Sequence, residues 1–226
     1  MAILYIVATP IGNLKDITIR ALDTLKSVDI IACEDTRQTL KLLNEYGIKK
    51  KLTSFHSHNE KSAGEKILKY LHEGLNIALV CDGGTPGISD PGASIVRLVR
   101  EQGINAVPIP GPSAVTALMS VSGMESRGFC FYGFLSPKAG RRRRDLRKII
   151  EIDSNVIIYE SPYRIKALLK DINTFFPNRK LFIGREITKL YEEFISGNAS
   201  EILTQLARKE KIKGEFSILI EGAKKV

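Results

Sequence analysis

The sequence predicts an α/β protein of two α/β domains, the N-terminal one on a mostly parallel open sheet and the C-terminal one on a mixed sheet. Three observations lead there. Through the first 110 residues, short β-rich runs alternate with amphipathic helical runs, the pattern of strand–helix–strand crossovers. Beyond about residue 115 the alternation loosens. Strand-like runs at 180–184 and 190–195 lie too close for a helix to cross between them, so they should pair antiparallel. The charge divides in the same region: residues 1–125 hold 13 basic and 13 acidic side chains, whereas residues 126–226 hold 21 and 12 and carry the whole net +9. Domains are expected at 1–115 and 116–226.

ILYIVA (3–8) opens the first domain as a strand, and an amphipathic run follows from Asp16, read as an N-cap, to Ser27. DIIAC (29–33) is the next strand. TRQTLKLLNEY is a helix that Asp35 or Thr36 would cap and Gly47 would end. A short strand at 52–55 leads into a helix over 60–72 closed by Gly74. NIALVC (76–81) is a nearly unbroken apolar run, as a parallel strand buried on both faces should be. A helix over 92–101 ends at Gly103, and NAVPI (105–109) supplies a fifth strand. PGPSAVTALMSVSG (110–123) begins as a turn and continues as a helix of small residues. In the second domain FCFYGF (129–134), 155–159, 180–184, 190–195 and 215–222 read as strands, and 141–150, 163–175 and 199–209 as helices. Phe129, Phe131, Tyr132 and Phe134 are expected to be core residues.

The 226 residues, 43% hydrophobic and 26% charged, suit a folded globular chain and exclude a disordered one. No apolar run reaches the ~18 residues of a membrane span, and nothing signal-like follows Met1, so a cytoplasmic address without a membrane partner is expected. Cys33, Cys81 and Cys130 are scattered through apolar strands. They fit neither a disulfide framework nor a metal-binding C-x-x-C, and none is expected to be a nucleophile. His56 and His58, two apart on an extended segment, would point to opposite sides; no metal site is expected. KAGRRRRDLRK (138–148) packs seven basic side chains against one acid, Asp145. Four consecutive arginines fan around a helix and cannot all be matched by one set of i,i+4 acids, which points to a polyanionic partner such as nucleic acid.

The chemistry is expected in loops. DGGTPGISDPG (82–92) places four glycines and two prolines in eleven positions directly after the buried strand 76–81. In open α/β sheets ligands bind beyond the carboxyl ends of strands, and glycine lets backbone approach them closely. Neither a P-loop nor a G-x-G-x-x-G is present, so recognition through phosphates is not indicated. TPIGNLKD (9–16) follows the first strand and PGPSA (110–114) the fifth. All three loops should gather on one rim, because parallel strands end on one side of their sheet. CEDTR (33–37), FHSHNE (55–60), YESPYR (159–164) and GREITK (184–189) are further polar clusters at strand ends.

Together TPIGNLKDITIRAL, EDTR, the H-x-H-N-E of 56–60, CDGGTPGISDPG, PGPSA, ESPYR, GREITK and the late GEF resemble the ribosomal RNA small subunit methyltransferase I family, of the tetrapyrrole methylase superfamily. The similarity runs from Tyr5 to about Gly222 in the family's order. It implies a homodimer whose two α/β domains fold S-adenosylmethionine into the cleft between them. The implied reaction is 2′-O-methylation of a cytidine ribose in 16S rRNA, within the small ribosomal subunit. By motif position, donor-binding residues would be Pro10, Asp82, Thr85, Ile88, Ser113, Ala114 and Tyr159. Many superfamily members carry G-x-G-x-G in the first loop where this chain has T-P-I-G-N-L. That difference speaks against a tetrapyrrole substrate, the alternative within enzymes. A non-catalytic RNA-binding protein on the same fold is the alternative outside them.

Methyl transfer to a hydroxyl gains from orientation and from a base that takes the proton. Candidate bases are Glu34, Asp35, Glu160 and Glu186, with Glu160 chosen as the catalytic residue because ESPYR follows a second-domain strand. RNA-binding positions would be Arg37, Arg141, Arg142, Arg143, Arg144, Arg164 and Arg185.

Overall fold

The computed structural model describes residues 2–223, in two compact units, Met1–Ser113 and Ala114–Val226. The first unit alternates β1 (Ile3–Val7), α1 (Ile19–Ser27), β2 (Ile30–Cys33), α2 (Thr36–Glu45), β3 (Lys51–Ser54), α3 (Glu60–His72), β4 (Ile77–Val80), α4 (Ala93–Glu101) and β5 (Asn105–Ile109). Its five strands are all parallel, in the order β3-β2-β4-β1-β5. The apolar runs of β2 and β4 follow from burial on both faces. Ile31, Cys33, Ala78 and Val80 pack with Leu25 of α1 and Leu42 and Leu43 of α2. Ile30, Ala32, Ile77 and Leu79 pack on the other face, with Ile67 of α3 and Ile95 and Val99 of α4. Each such aliphatic side chain, fully buried, stabilises the fold by about 1.5–3 kcal/mol against exposure.

Asp16 does not cap α1. It closes a single 3-10 turn, Leu14–Asp16, and Ile17 returns to extended backbone. Helical geometry starts only after Thr18, whose hydroxyl accepts the Ala21 N–H at 3.1 Å. Asp35 caps α2 as expected, its Oδ1 accepting the Arg37 N–H at 2.8 Å. His56 and His58 lie in a turn, not on an extended segment, and their rings meet edge to face with centroids 6.0 Å apart.

The second unit comprises α5 (Ala114–Ser122), β6 (Phe129–Phe134), α6 (Ala139–Ile149), β7 (Asn155–Glu160), α7 (Ile165–Phe175), β8 (Leu181–Arg185), β9 (Glu193–Gly197), α8 (Ala199–Ala207) and β10 (Phe216–Ile220). The sheet order is β6-β7-β10-β8-β9; only β6 and β7 run parallel, so the sheet is mixed. Leu146 of α6, Leu168 and Ile172 of α7 and Ile202 and Leu206 of α8 cover one face over Val156, Ile158, Ile183 and Ile218. On the other face α5 lies against β8 and β10; a Cβ on Gly184 would sit 3.0 Å from Leu118 Cδ1. β10 fills the middle of the sheet, and all five of its residues are buried.

Two expectations fail here. β9 starts at Glu193, not 190, because residues 186–192 form a loop with left-handed backbone at Glu186 (φ +52°) and Thr188 (φ +69°). The β6 aromatics are not core: β6 is an edge strand with a register shift between Phe131 and Gly133, and Phe129, Tyr132 and Phe134 are exposed. Among the described residues, no helix is long and apolar enough to cross a membrane.

Candidate active site

The parallel strands of the first unit end on one rim, and three expected loops are joined there. Thr9 and Gly84 exchange both backbone hydrogen bonds at 2.9 Å, and the Thr9 hydroxyl donates to the Cys81 carbonyl at 3.0 Å. Gly84 takes φ +91°, a conformation L side chains rarely adopt. A Cβ on Gly83 would stand 3.2 Å from the Pro10 carbonyl oxygen, and one on Gly111 would stand 3.0 Å from Ala8 Cβ. The glycines therefore allow the turns after β1, β4 and β5 to close on one another. Gly92 draws the far end of the loop back: its Cβ would lie 2.9 Å from the Gly87 N–H nitrogen.

Of the expected donor residues, Pro10 is buried at this junction, Asp82 and Ile88 are exposed, and Thr85 and Ser113 are half-buried. Asp82 Oδ1 accepts the Asp35 N–H at 3.2 Å, which ties the loop after β2 to the same rim. Ala114 and Tyr159 belong to the second unit. Ala114 opens α5, and the half-buried Tyr159 meets Phe131 and Phe134 edge to face at 4.9 and 5.6 Å. An open depression of about 590 Å³ also borders the glycine-rich loop, lined by Pro86, Gly87, Val96, Arg97 and Arg100. Sequence reasoning missed it, since it depends on how α4 lies against β1.

The rim is acidic. Burial, then the charges of Asp82, Asp90 and Asp35, raises the Glu34 carboxyl above its usual range. Burial likewise raises Asp82, with the Asp35 charge in support and the Asp35 N–H and Arg37 opposing. Asp35 is held at about 2 by the Arg37 guanidinium, which hydrogen-bonds it at 2.8 Å. Burial pushes the Cys33 and Cys81 thiols up, which leaves little thiolate for nucleophilic work.

The second unit's rim shows where two further expected residues lie. Glu160, chosen as the proton acceptor, is 1% exposed. Its Oε1 already accepts the Ser161 N–H and the Arg164 guanidinium, both at 2.7 Å. A carboxylate so buried and engaged is placed to hold Arg164. Arg142 is buried at 6% exposure; its side chain is paired with Asp171 on α7 at 2.6 Å and is out of reach of RNA. Arg141 and Arg144 are exposed, and Arg143 is exposed while also pairing with Asp171 at 2.8 Å. Arg37 is exposed beside Asp35. Arg185 is largely covered, bonded to Glu193 at 2.8 Å and to the Lys213 carbonyl at 2.7 Å.

Residues 3–203 match the family model of the Tetrapyrrole (Corrin/Porphyrin) Methylases. Proteins named Ribosomal RNA small subunit methyltransferase I are similar over nearly the whole chain. That of Neisseria meningitidis is 48% identical over 97% of this chain and 76% of its own length. That of Bacillus subtilis is 46% identical over 99% and 76%, and that of Thermotoga maritima 45% over 98% and 99%. The chain belongs to the ribosomal RNA small subunit methyltransferase I family of the tetrapyrrole methylases. As a family member it is a methyltransferase. In fold it is similar to cobalt precorrin-4 methyltransferase, with a TM-score of 0.70 at 18% identity over 97% of this chain and 94% of that one. The uroporphyrin-III-C-methyltransferase of Thermus thermophilus follows at 0.69, also at 18% identity, over 98% and 94%. Within this family the glycine-lined rim of the first unit is the candidate donor site.

Proposed function

We propose that this methyltransferase carries a methyl group from S-adenosylmethionine to the 2′-hydroxyl of a cytidine in 16S rRNA, acting on the small ribosomal subunit. The observation that carries the reading is the rim where Thr9 pairs with Gly84 and Gly111 closes against Ala8. There the loops after β1, β4 and β5 close on one another through backbone at Gly83, Gly84 and Gly111. Pro10, Asp82, Thr85, Ile88 and Ser113 are assigned to the donor, and the carboxylates of Glu34 and Asp82 suit its positive charge. Ala114 and Tyr159 are assigned to donor binding from the family resemblance alone.

The donor supplies a sulfonium-bound methyl. Ribose oxygen bonds to the methyl carbon as the carbon–sulfur bond breaks, leaving a neutral thioether, and the hydroxyl proton passes to a base. Asp35, Glu160 and Glu186 are tied to Arg37, Arg164 and Lys189. Glu34, with its raised pKa, has the direction of shift that suits a base near neutral pH and is the proposed acceptor. Arg141, Arg143 and Arg144 are assigned to the rRNA backbone, and Arg37 and Arg164 to phosphates near the reacting ribose. The same reading makes the protein a homodimer of the ribosome-containing compartment.

Two measurements test it. Titration calorimetry should show S-adenosylmethionine binding to the wild-type protein and at least tenfold weaker binding to Asp82→Ala. Mapping of ribose methylation on small-subunit RNA should find one 2′-O-methylcytidine missing from cells that lack the protein. An unchanged methylation map would refute the substrate, and no binding heat would refute the donor.

A further inference from the structure

The second unit builds an exposed aromatic feature at one edge of its sheet. β7, β10 and β8 share a register in which Glu160, Phe216 and Arg185 lie side by side. The loops leaving β7 and β8 therefore rise from one edge, with a single strand between their roots, about 10 Å apart. Each lifts apolar side chains into solvent: Tyr163 is 94% exposed, Leu190 89% and Tyr191 69%. Singly these would need no explanation, but three at one edge do.

The loop over 186–192 is tied down by its own side chains in an unfavourable backbone conformation. Glu186 and Thr188 sit at positive φ, unusual for any non-glycine residue and most of all for β-branched threonine. Among the described residues, the buried Thr188 Oγ1 has no hydrogen-bond partner. A network fixes this backbone. Lys189 Nζ bridges Glu186 at 2.9 Å and Glu215 at 3.0 Å, the Glu215 N–H donates to Glu186 Oε1 at 2.9 Å, and the Thr188 N–H donates to Glu192 Oε1 at 2.6 Å. What that construction presents to solvent is Leu190 and Tyr191.

Arginines lie on the same edge. Arg164 follows Tyr163 and is anchored by Glu160 and by Ser161 Oγ at 3.2 Å. β6 runs parallel to β7, so α6 begins at this same edge with Arg141, Arg143 and Arg144 exposed in its first turns. Aromatic faces among arginines suit bases stacked above a bound phosphate chain. We propose that Tyr163 and Tyr191 form a stacking platform that grips unpaired bases of the rRNA flanking the methylated nucleotide. The platform rests on the RNA reading above. It serves to position substrate.

The chain has no tryptophan, so Tyr191→Trp and Tyr163→Trp place a single reporter on either loop. With a single-stranded RNA oligonucleotide as probe, the tryptophan emission should be quenched on binding. Tyr163→Ala and Tyr191→Ala should each weaken oligonucleotide affinity and raise KM for purified small subunits by about 5- to 100-fold. Tyr→Phe at either position should restore both to within about twofold, since stacking needs the ring and not the hydroxyl. The heat of S-adenosylmethionine binding and the thermal midpoint should stay at wild-type values. Unquenched tryptophans, or wild-type affinity and KM in the double alanine variant, would overturn the platform while leaving methyl transfer intact. Alanine variants that lose self-association and keep RNA affinity would show a protein interface instead. Failure of the wild-type protein to methylate the subunit would strike the RNA reading itself.

Discussion

A methyl group at Gly214 and one at Gly74 would meet different fates, although the two backbones are alike at φ +91° and +88°. Around Gly74 there is open space, whereas at Gly214 a Cβ would collide with the Glu186 side chain. Gly74→Ala should therefore cost only its backbone strain, about 1 kcal/mol, or 2–4 °C in thermal midpoint. Gly214→Ala adds the collision and should cost about 2–3 kcal/mol by denaturant titration. Glu160 gives a second residue-scale test. Glu160→Gln keeps an acceptor for the Ser161 N–H but loses the charge that holds Arg164. It should raise KM for the subunit while kcat falls less than about tenfold; a general base would lose on the order of 10²-fold or more. Chemistry at this scale was legible wherever a local pattern sufficed, as at the turn glycines and at Asp35. The burial of Glu160 was not legible, because its neighbours Ser161 and Arg164 could as well have left it facing outward. Nothing in ESPYR itself states that the carboxylate is buried.

At the scale of elements, α6 and α7 are joined by a carboxylate shared between two arginines. Arg142 and Arg143 both bond Asp171, but the Arg142 side chain is 7% exposed and that of Arg143 57%. Arg142→Ala should destabilise by about 1–3 kcal/mol, because it removes the buried partner of Asp171 while Arg143 still pairs with the carboxylate. Arg143→Ala should cost no more than about 1 kcal/mol. Burial raises the Asp171 carboxyl, but hydrogen bonds from Arg143 and Arg142 outweigh it and leave the group below its ordinary value. Glu186 and Glu193 are lowered on balance in the same way, by Lys189 and by Lys209 with Arg185. Their folded pKa values lie below the unfolded ones, so this stability is complete above about pH 5 and is lost as pH falls through the folded values. The thermal midpoint should be flat from neutrality to about pH 5 and then drop. Asp171→Asn should flatten that drop. The four arginines had looked equivalent because burial of the second is decided by Asp171, 29 residues along the chain. The β6 aromatics misled for the same reason: alternation along a strand does not reveal whether the strand lies at the edge or the centre of its sheet.

Across the whole molecule, the net charge of +9 belongs to residues 126–226. A triple Arg141→Ala, Arg143→Ala, Arg144→Ala variant should bind the small subunit more weakly and with a shallower dependence on salt. The log–log slope should fall by about 0.7–0.9 for each phosphate contact removed. Sedimentation analysis over the same salt range would test the proposed dimer independently of RNA. The division into two units and the parallel character of the first sheet were readable from strand spacing and glycine punctuation. That β10 enters between β7 and β8 was not, since the run EFSILIEG announces a strand without saying which neighbours it will find. Its place there bears on synthesis. A nascent chain that has not yet extruded Phe216 holds β7 and β8 with a gap between them, while every strand of the first unit is already available. Ribosome-bound chains stalled just before Phe216 should accordingly resist protease up to Ser113 and be digested beyond it, so that the half bearing the glycine-rich rim matures before the half bearing the tyrosines.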